Sequence, residues 1–157
     1  MYLVSVLLLM VILPTISIAA DHISHGSAPL MFFVGKWFVF WAAGIRLLLA
    51  GLRQFLQPRF TSEKIFGITS DDPLPFVREL GIANFSTGVA GSLSLWWPSF
   101  SLPLAIIAAI FYGVAGIRHA MQKHRNANEN IAMVTDLFAA LVFCAFLVFK
   151  CRVHAGL

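Results

Sequence analysis

The stretch FVRELGIANFSTGVAG, residues 76–91, places polar groups in an otherwise small and apolar run. Arg78 and Glu79 stand side by side near its start, and Asn84 interrupts it. Charges and carboxamides are costly inside a membrane or a buried core unless they meet a partner. Small residues at helical spacing also let two helix backbones approach closely. The stretch therefore predicts a tightly packed interior helix whose first turns contribute polar groups to a shared layer.

The composition is that of an integral membrane protein. Of 157 residues, 59% are hydrophobic and only 11% are charged, and the mean hydropathy is +0.85. Soluble domains carry about 25% charged residues. The net charge is +4, but the basic residues lie mainly in short connections between apolar runs, a pattern that sets membrane orientation. Because no basic helix face carries interleaved aromatic residues, we expect the lipid bilayer as a partner and no nucleic acid.

Five apolar segments are predicted to cross a membrane, which takes about 20 residues of helix. We therefore predict an all-α integral membrane fold: a four-transmembrane-helix bundle over residues 30–150, with a cytoplasmic loop at 53–76, plus an additional N-terminal transmembrane helix within residues 1–20. No basic region precedes the first apolar run, so we interpret it as an uncleaved signal-anchor helix that Pro14 kinks or ends. The five segments cover residues 2–19, 30–52, 77–97, 102–118 and 131–150.

The distribution of lysine and arginine predicts the orientation. The connections at residues 53–78 and 118–125 carry four and three basic residues. The opposite side carries only Lys36, Lys150 and Arg152, all close to helix ends. By the positive-inside rule, we expect a multi-pass protein of the cell inner membrane, with a cytoplasmic N-terminus and an extracytoplasmic C-terminus.

Four polar residues are predicted to share one layer of the bundle. Arg46 lies about 9 Å inside the second segment and Asp136 about 8 Å inside the last. Glu79 and Asn84 lie about 5 and 12 Å inside the third. A charge at a helix centre costs about 3 kcal/mol on insertion scales, so we expect Arg46 to meet Glu79 or Asp136. Such a layer fits a structural network, a ligand or quinone site, or a proton or ion path.

The histidines and the remaining motifs give weaker indications of a functional site. His22, His25 and His154 are weak candidates for metal ligands on the outward side, and no metal site is predicted from them. His119 is placed in the cytoplasmic connection, outside any span. Glycine-rich phosphate loops and nucleophile–base spacings are absent from the sequence, so we do not expect catalysis by this chain alone.

Two motifs resemble a known group of proteins. GIRLLLAGLRQF at 44–55 and RELGIANFSTGVAGSLSL at 78–95 are similar to runs in DoxX-like small bacterial inner-membrane proteins. They look closer still to a related family named only as a domain of unknown function, in which RELGxANxxxG begins the corresponding helix. The resemblance covers roughly residues 30–150 and implies that Arg46, Glu79 and Asn84 match the family pattern. Some DoxX-like proteins are small subunits of quinone-linked oxidoreductases.

These observations predict a small non-catalytic membrane protein, an accessory subunit of a larger inner-membrane complex. Its partner would be another membrane protein or a second copy of the chain. One alternative is a redox-linked protein that binds quinone or another small apolar ligand at the polar layer. Another is an oligomeric transporter or channel, although no inverted repeat or pair of broken helices is visible in the sequence.

Overall fold

The computed structural model describes residues 2–156, which form helices joined by short connections and contain no strand. Two short helical segments also occur in the connections, a π-helical turn at Phe60–Ile65 and a 3₁₀ turn at Pro98–Phe100. The prediction of an all-α fold is confirmed. The long helices are α1 (Tyr2–Ser24), α2 (Leu30–Leu56), α3 (Leu74–Leu93), α4 (Ser101–Met121) and α5 (Ala127–His154).

Four helices are long and apolar enough to cross a membrane, which fits a multi-pass membrane protein: Tyr2–Ser24, Leu30–Leu56, Pro98–Met121 and Ala127–His154. The N-terminal helix is one of these four, so a fifth span beyond them, as the predicted four plus one requires, is not confirmed. The predicted span at 77–97 is helix α3, which has 20 residues but is not among the four. Arg78, Glu79 and Asn84, together with its glycines and serines, lower its hydropathy.

Helix α3 packs against α2 through glycines on both helices. A Cβ atom on Gly44 would lie 2.7 Å from the backbone nitrogen of Ser92, and one on Gly91 would lie 2.6 Å from the Cα atom of Gly44. A Cβ on Gly81 would lie 2.8 Å from the backbone nitrogen of Phe55. These distances are too short for any side chain, so the two backbones touch directly. The close approach orients the polar residues of α3 relative to α2.

The other long helices complete the bundle around an apolar core. Helix α4 packs along α5, and α1 packs along α2. A hydrogen bond joins α1 to α2, since the indole nitrogen of Trp41 donates to the hydroxyl of Ser17 at 3.0 Å. Helices α3 and α4 scarcely touch. A gap therefore separates the hairpin of α2 and α3 from the hairpin of α4 and α5. The buried core includes Met10, Phe143 and Phe146.

Two long helices contain π-helical segments. In α1 the segment Leu8–Ile12 precedes Pro14, which lacks the backbone N–H that would bond one turn back. The helix does not end at Pro14, because it continues through the proline to Ser24 after a widened turn. In α2 the segment Val39–Arg46 ends at the arginine predicted for the polar layer. Single π-helical turns inside α-helices occur often at functional sites.

The connection before α3 is fastened to the start of α5. The side-chain amide of Asn126 donates to the carbonyl of Ile65 at 3.2 Å. Asn126 also caps α5, since its side-chain carbonyl oxygen accepts from the backbone N–H of Glu129 at 2.9 Å. Helix α3 begins at Leu74 with no side-chain cap. We call the end of the bundle that holds Phe60–Ile65 and residues 122–126 the basic end.

The contact between α2 and α3 predicts a strong effect of one methyl group. In Gly88→Ala, the new Cβ would collide with the backbone of Leu48, so we expect a loss of about 2 kcal/mol in unfolding free energy. Gly113→Ala is the matched control, because its Cβ would lie 3.7 Å from that of Ala140, an ordinary contact. Unfolding in detergent followed by circular dichroism measures both variants. Equal stability of the two would contradict the backbone contact.

Candidate functional site

An ion pair joins α2 to α5 inside the bundle. Nη2 of Arg46 lies 2.9 Å from Oδ1 of Asp136, and their side chains are 12% and 9% exposed. Both residues lie about 14 Å inside their helices from the basic end, at 1.5 Å per residue. Nη1 of Arg46 is buried and has no hydrogen-bond partner among residues 2–156. The guanidinium therefore has donor capacity beyond what the carboxylate uses.

Tyr112 of α4 completes this centre. The Cζ atom of Arg46 lies over the tyrosine ring at 4.9 Å from its centroid. The Tyr112 hydroxyl donates to the carbonyl of Ala42 at 2.6 Å, within the π-helical segment of α2. Its other face stacks on Phe143 of α5, with a centroid distance of 6.3 Å. Tyr112 is 1% exposed, so it holds α2, α4 and α5 together at the level of the ion pair.

The two predicted residues of α3 lie on different faces. Asn84 is buried, and its side-chain amide donates to the carbonyl oxygen of Gln54 on α2 at 2.8 Å. Glu79 is exposed and forms no ion pair with any described residue. Glu79 and Asn84 are five residues apart, and five residues along an α-helix rotate the side chain by about 140°. The two side chains therefore point to different sides of α3. The predicted meeting of Arg46 with a carboxylate thus involves Asp136, and placing Glu79 inside the layer is wrong.

A cavity of about 640 Å³ opens beside the ion pair, toward the basic end. Its walls come from all five long helices and from Phe60–Ile65 with the residue that follows, Phe66. Arg46, Asn84 and Asp136 contribute to the lining, whereas Glu79 does not. Most of the remaining lining is apolar. The apolar walls include Val6, Leu9, Leu49, Ile110 and Val114, and the polar ones include Tyr2, Arg53, Gln54, Arg118 and His119.

Two further arginines line the cavity toward its outer edge. The Cζ atom of Arg53 lies 3.4 Å from the ring centroid of Phe60. That of Arg118 lies 5.8 Å from the ring centroid of Phe66. Both arginines are exposed, and both rings belong to the connection between α2 and α3. Cation–π contact of this kind holds a guanidinium in place while its N–H groups, which point outward in the guanidinium plane, stay available to acceptors.

His119 lines the cavity next to Arg118 and is paired with a glutamate behind the wall. Nδ1 of His119 lies 3.1 Å from Oε1 of Glu129, and both side chains are buried. The His119 ring also stacks on Phe66, with a centroid distance of 6.2 Å. His119 lies in the last turn of α4 and not in the connection as predicted. The short connection between α4 and α5 could have indicated this pair in the sequence. Antiparallel helices bring residues on either side of such a connection close together.

The end of α4 is shaped by the connection that follows it. The Arg125 guanidinium donates to the carbonyls of His119, Ala120 and Gln122, at 3.2, 3.0 and 2.6 Å. The last carbonyls of a helix lack partners one turn further on, so the arginine caps the C-terminus of α4. Nε of Arg125 also donates to the side-chain oxygen of Asn130 on α5 at 2.9 Å. The turn therefore positions His119 against α5.

The predicted metal-ligand types do not assemble within the described part of the chain. No group of three or more His, Cys, Asp or Glu side chains there is placed to hold a metal ion. His25 faces Asp21, with Nδ1 at 3.0 Å from Oδ1, and Lys36 also reaches that carboxylate at 2.6 Å. His22 packs edge-on against an aromatic ring of α2, and His154 is exposed at the end of α5.

Comparison with known proteins identifies the family. The chain belongs to the Family of unknown function DUF6790, whose model matches residues 1–156. The match includes the N-terminal helix, so the predicted limit of the resemblance near residue 30 is wrong. It is this family, and not the DoxX-like proteins, that the comparison finds. No curated protein and no solved structure matches the chain.

The ion pair predicts non-additive mutational effects. Arg46→Leu leaves the Asp136 carboxylate buried without its partner, and we expect a loss of about 3 kcal/mol in unfolding free energy. Adding Asp136→Asn removes that charge, so the double variant should be more stable than Arg46→Leu alone. Unfolding of the single and double variants in detergent measures the coupling between the two side chains.

Arg78→Leu serves as the matched control for this cycle. Arg78 is exposed on α3 and forms no ion pair with any described residue, so its loss should change stability little. Strictly additive effects of the Arg46 and Asp136 changes would show that the pair does not stabilise the bundle.

Proposed function

We propose that this DUF6790 protein is a small membrane protein that binds a largely apolar molecule in the cavity beside Arg46 and Asp136. The carrying observation is the cavity itself, about 640 Å³ of space against a buried ion pair. Ligand pockets in proteins commonly measure about 300–1,000 Å³ and combine apolar walls with a few convergent polar groups. This cavity has both properties.

The surroundings of the ion pair support binding over a purely structural role. A structural pair is most stable when packing and hydrogen bonds satisfy both partners. Here Nη1 of Arg46 has no partner among the described residues, and Arg46, Asp136 and Tyr112 all line the same cavity. Leaving such a donor unpaired costs about 1–3 kcal/mol, which a ligand acceptor would recover. The arrangement therefore suits recognition of a molecule with at least one acceptor oxygen.

The route to the cavity favours an apolar ligand. Leu49 of α2, and Ile110 and Val114 of α4, line the cavity and are 49%, 62% and 62% exposed. They stand beside the gap between the two hairpins. In a membrane this gap would face the lipid chains, so a ligand could enter sideways without crossing water. A quinone is one molecule of this kind, because its ring carbonyls accept hydrogen bonds.

We place the protein in a cell inner membrane with the basic end in the cytoplasm. The support is the concentration of Lys and Arg in the two connections at that end. All five long helices would then cross the bilayer, including α3, which packs alongside α2 despite its low hydropathy. The cavity would lie in the cytoplasmic half. An accessory-subunit role and oligomeric transport stay predictions, which co-purification of a partner polypeptide or a symmetric oligomer would test.

Filling the cavity should abolish ligand retention. Ala115 lines the cavity, and Ala115→Phe would place a ring in that space. We expect native mass spectrometry of the protein extracted in mild detergent to show a bound small molecule in the wild type and none in this variant. Ile117→Phe is the matched control, since Ile117 lies on the same helix, is exposed and does not line the cavity. Retention unchanged in Ala115→Phe would contradict the proposal.

The two cysteines allow a test of orientation. Cys151 is free and exposed near the end of α5, while Cys144 lies two turns deeper in the same helix. In intact cells of a Cys144→Ser variant, a membrane-impermeant thiol reagent should label Cys151. A Lys123→Cys variant without the native cysteines places a thiol at the basic end and should react only after the membrane is opened. The reverse pattern would place the basic end outside.

A further inference from the structure

The charges that line the cavity are unbalanced. Among residues 2–156, Arg46, Arg53 and Arg118 contribute three positive charges to the lining, and Asp136 is its only carboxylate. Asp136 is already paired with Arg46. Within residues 2–156, neither Arg53 nor Arg118 forms an ion pair. Two guanidinium groups therefore face the outer part of the cavity without a counter-charge from the chain.

The positions of these two arginines suit a headgroup more than a deep ligand. Each lies near the basic end of its helix, is exposed, and rests against the ring of Phe60 or Phe66. The rings come from one connection, so that connection positions both charges at the edge of the same cavity. Deeper inside, the lining is mainly apolar until it reaches Arg46. The cavity is thus cationic at its edge and mainly apolar along its walls.

We infer that the ligand is an amphiphile with an acidic, phosphate-type headgroup on an apolar chain. The inference rests on the proposed function and names the ligand class for the same site. Arg53 and Arg118 bind the headgroup at the basic end, and the chain runs along the apolar walls toward the gap between α3 and α4. Guanidinium groups pair with phosphate oxygens through charge-assisted hydrogen bonds, often two at a time. A neutral molecule such as a quinone would use neither of these charges.

A phosphate headgroup on an apolar chain could come from two kinds of molecule. An anionic phospholipid of the surrounding bilayer could insert a chain through the gap between α3 and α4. A free alkyl phosphate released from lipid or prenyl metabolism would present the same groups. Both carry a phosphate and at least one long apolar chain, and the experiment below separates them.

The test uses the full chain purified in a non-ionic detergent, with binding followed by native mass spectrometry and by the shift in unfolding temperature. The probes are hexadecyl phosphate, hexadecanol with the same chain and no charge, and inorganic phosphate with no chain. We expect hexadecyl phosphate to bind at least about tenfold more tightly than either of the other two, as a charge-assisted hydrogen bond contributes. Equal binding of hexadecanol or of inorganic phosphate would overturn the inference.

The arginine variants locate the headgroup. Arg53→Gln and Arg118→Gln should each weaken hexadecyl phosphate binding about tenfold and leave hexadecanol binding unchanged. Arg78→Gln is the matched control, because Arg78 is an exposed arginine that lies outside the cavity lining. If all three variants weaken binding equally, the headgroup is held by general surface charge and the inference is wrong.

Failure of the inference and failure of the proposed function give different results. Binding of both long-chain probes with equal affinity, lost in Ala115→Phe, would retain the cavity as a binding site for a neutral ligand and overturn the acidic headgroup. Binding of neither, or binding that Ala115→Phe leaves unchanged, would overturn both. In nanodiscs, selective retention of phosphatidylglycerol over phosphatidylcholine would support a bilayer source. Retention of hexadecyl phosphate in preference to both lipids would support a free one.

Discussion

The ion pair between Arg46 and Asp136 is the constraint on which the arrangement of the bundle depends. Two charges inside an apolar interior are tolerated only while both partners keep their places, and removal of either is costly. The contact links α2 to α5, which are separated by two other helices along the chain. Tyr112 covers the guanidinium and bonds to the backbone of α2, so α4 is fixed to the same centre. The cavity exists because these helices meet here and the gap beside them stays open.

Helix α3 shows how one surface can serve packing at the expense of hydropathy. Its glycines remove the side chains that would separate it from α2, and the two backbones come into contact at Gly44 and Gly91. The same helix directs Asn84 toward Gln54 within that contact. Glycine and a carboxamide make a helix less apolar, which explains why α3 falls outside the four most apolar helices. Close packing against α2 compensates, because contacts between helices depend on shape more than on apolarity inside a membrane.

The sequence predicted how deep each polar residue lies along its helix, but not to which side of the helix its side chain points. Helical rise converts sequence distance into depth, and this placed Arg46 and Asp136 at one level. It could not decide between Glu79 and Asp136 as the partner, because the two lie on different helices whose rotation depends on packing. Tyr112 gave no signal, since one aromatic residue in an apolar run is the ordinary content of a core helix. Sequence reasoning also missed the buried position of His119, because a histidine close to a connection is typically solvated.

The amino-acid sequence by itself determined that the chain is helical, that several helices are apolar enough for a membrane, and that its basic residues gather at one end. These properties depend on composition and periodicity, which act within a single helix. Only the tertiary structure decided which carboxylate meets Arg46, that α3 contributes Asn84 and not Glu79, and that Arg46, Arg53 and Arg118 share a cavity with Asp136. Those outcomes depend on how far each helix is rotated about its axis and on how closely its neighbours approach. Rotation and approach follow from glycine contacts and side-chain packing between helices, which no single segment encodes.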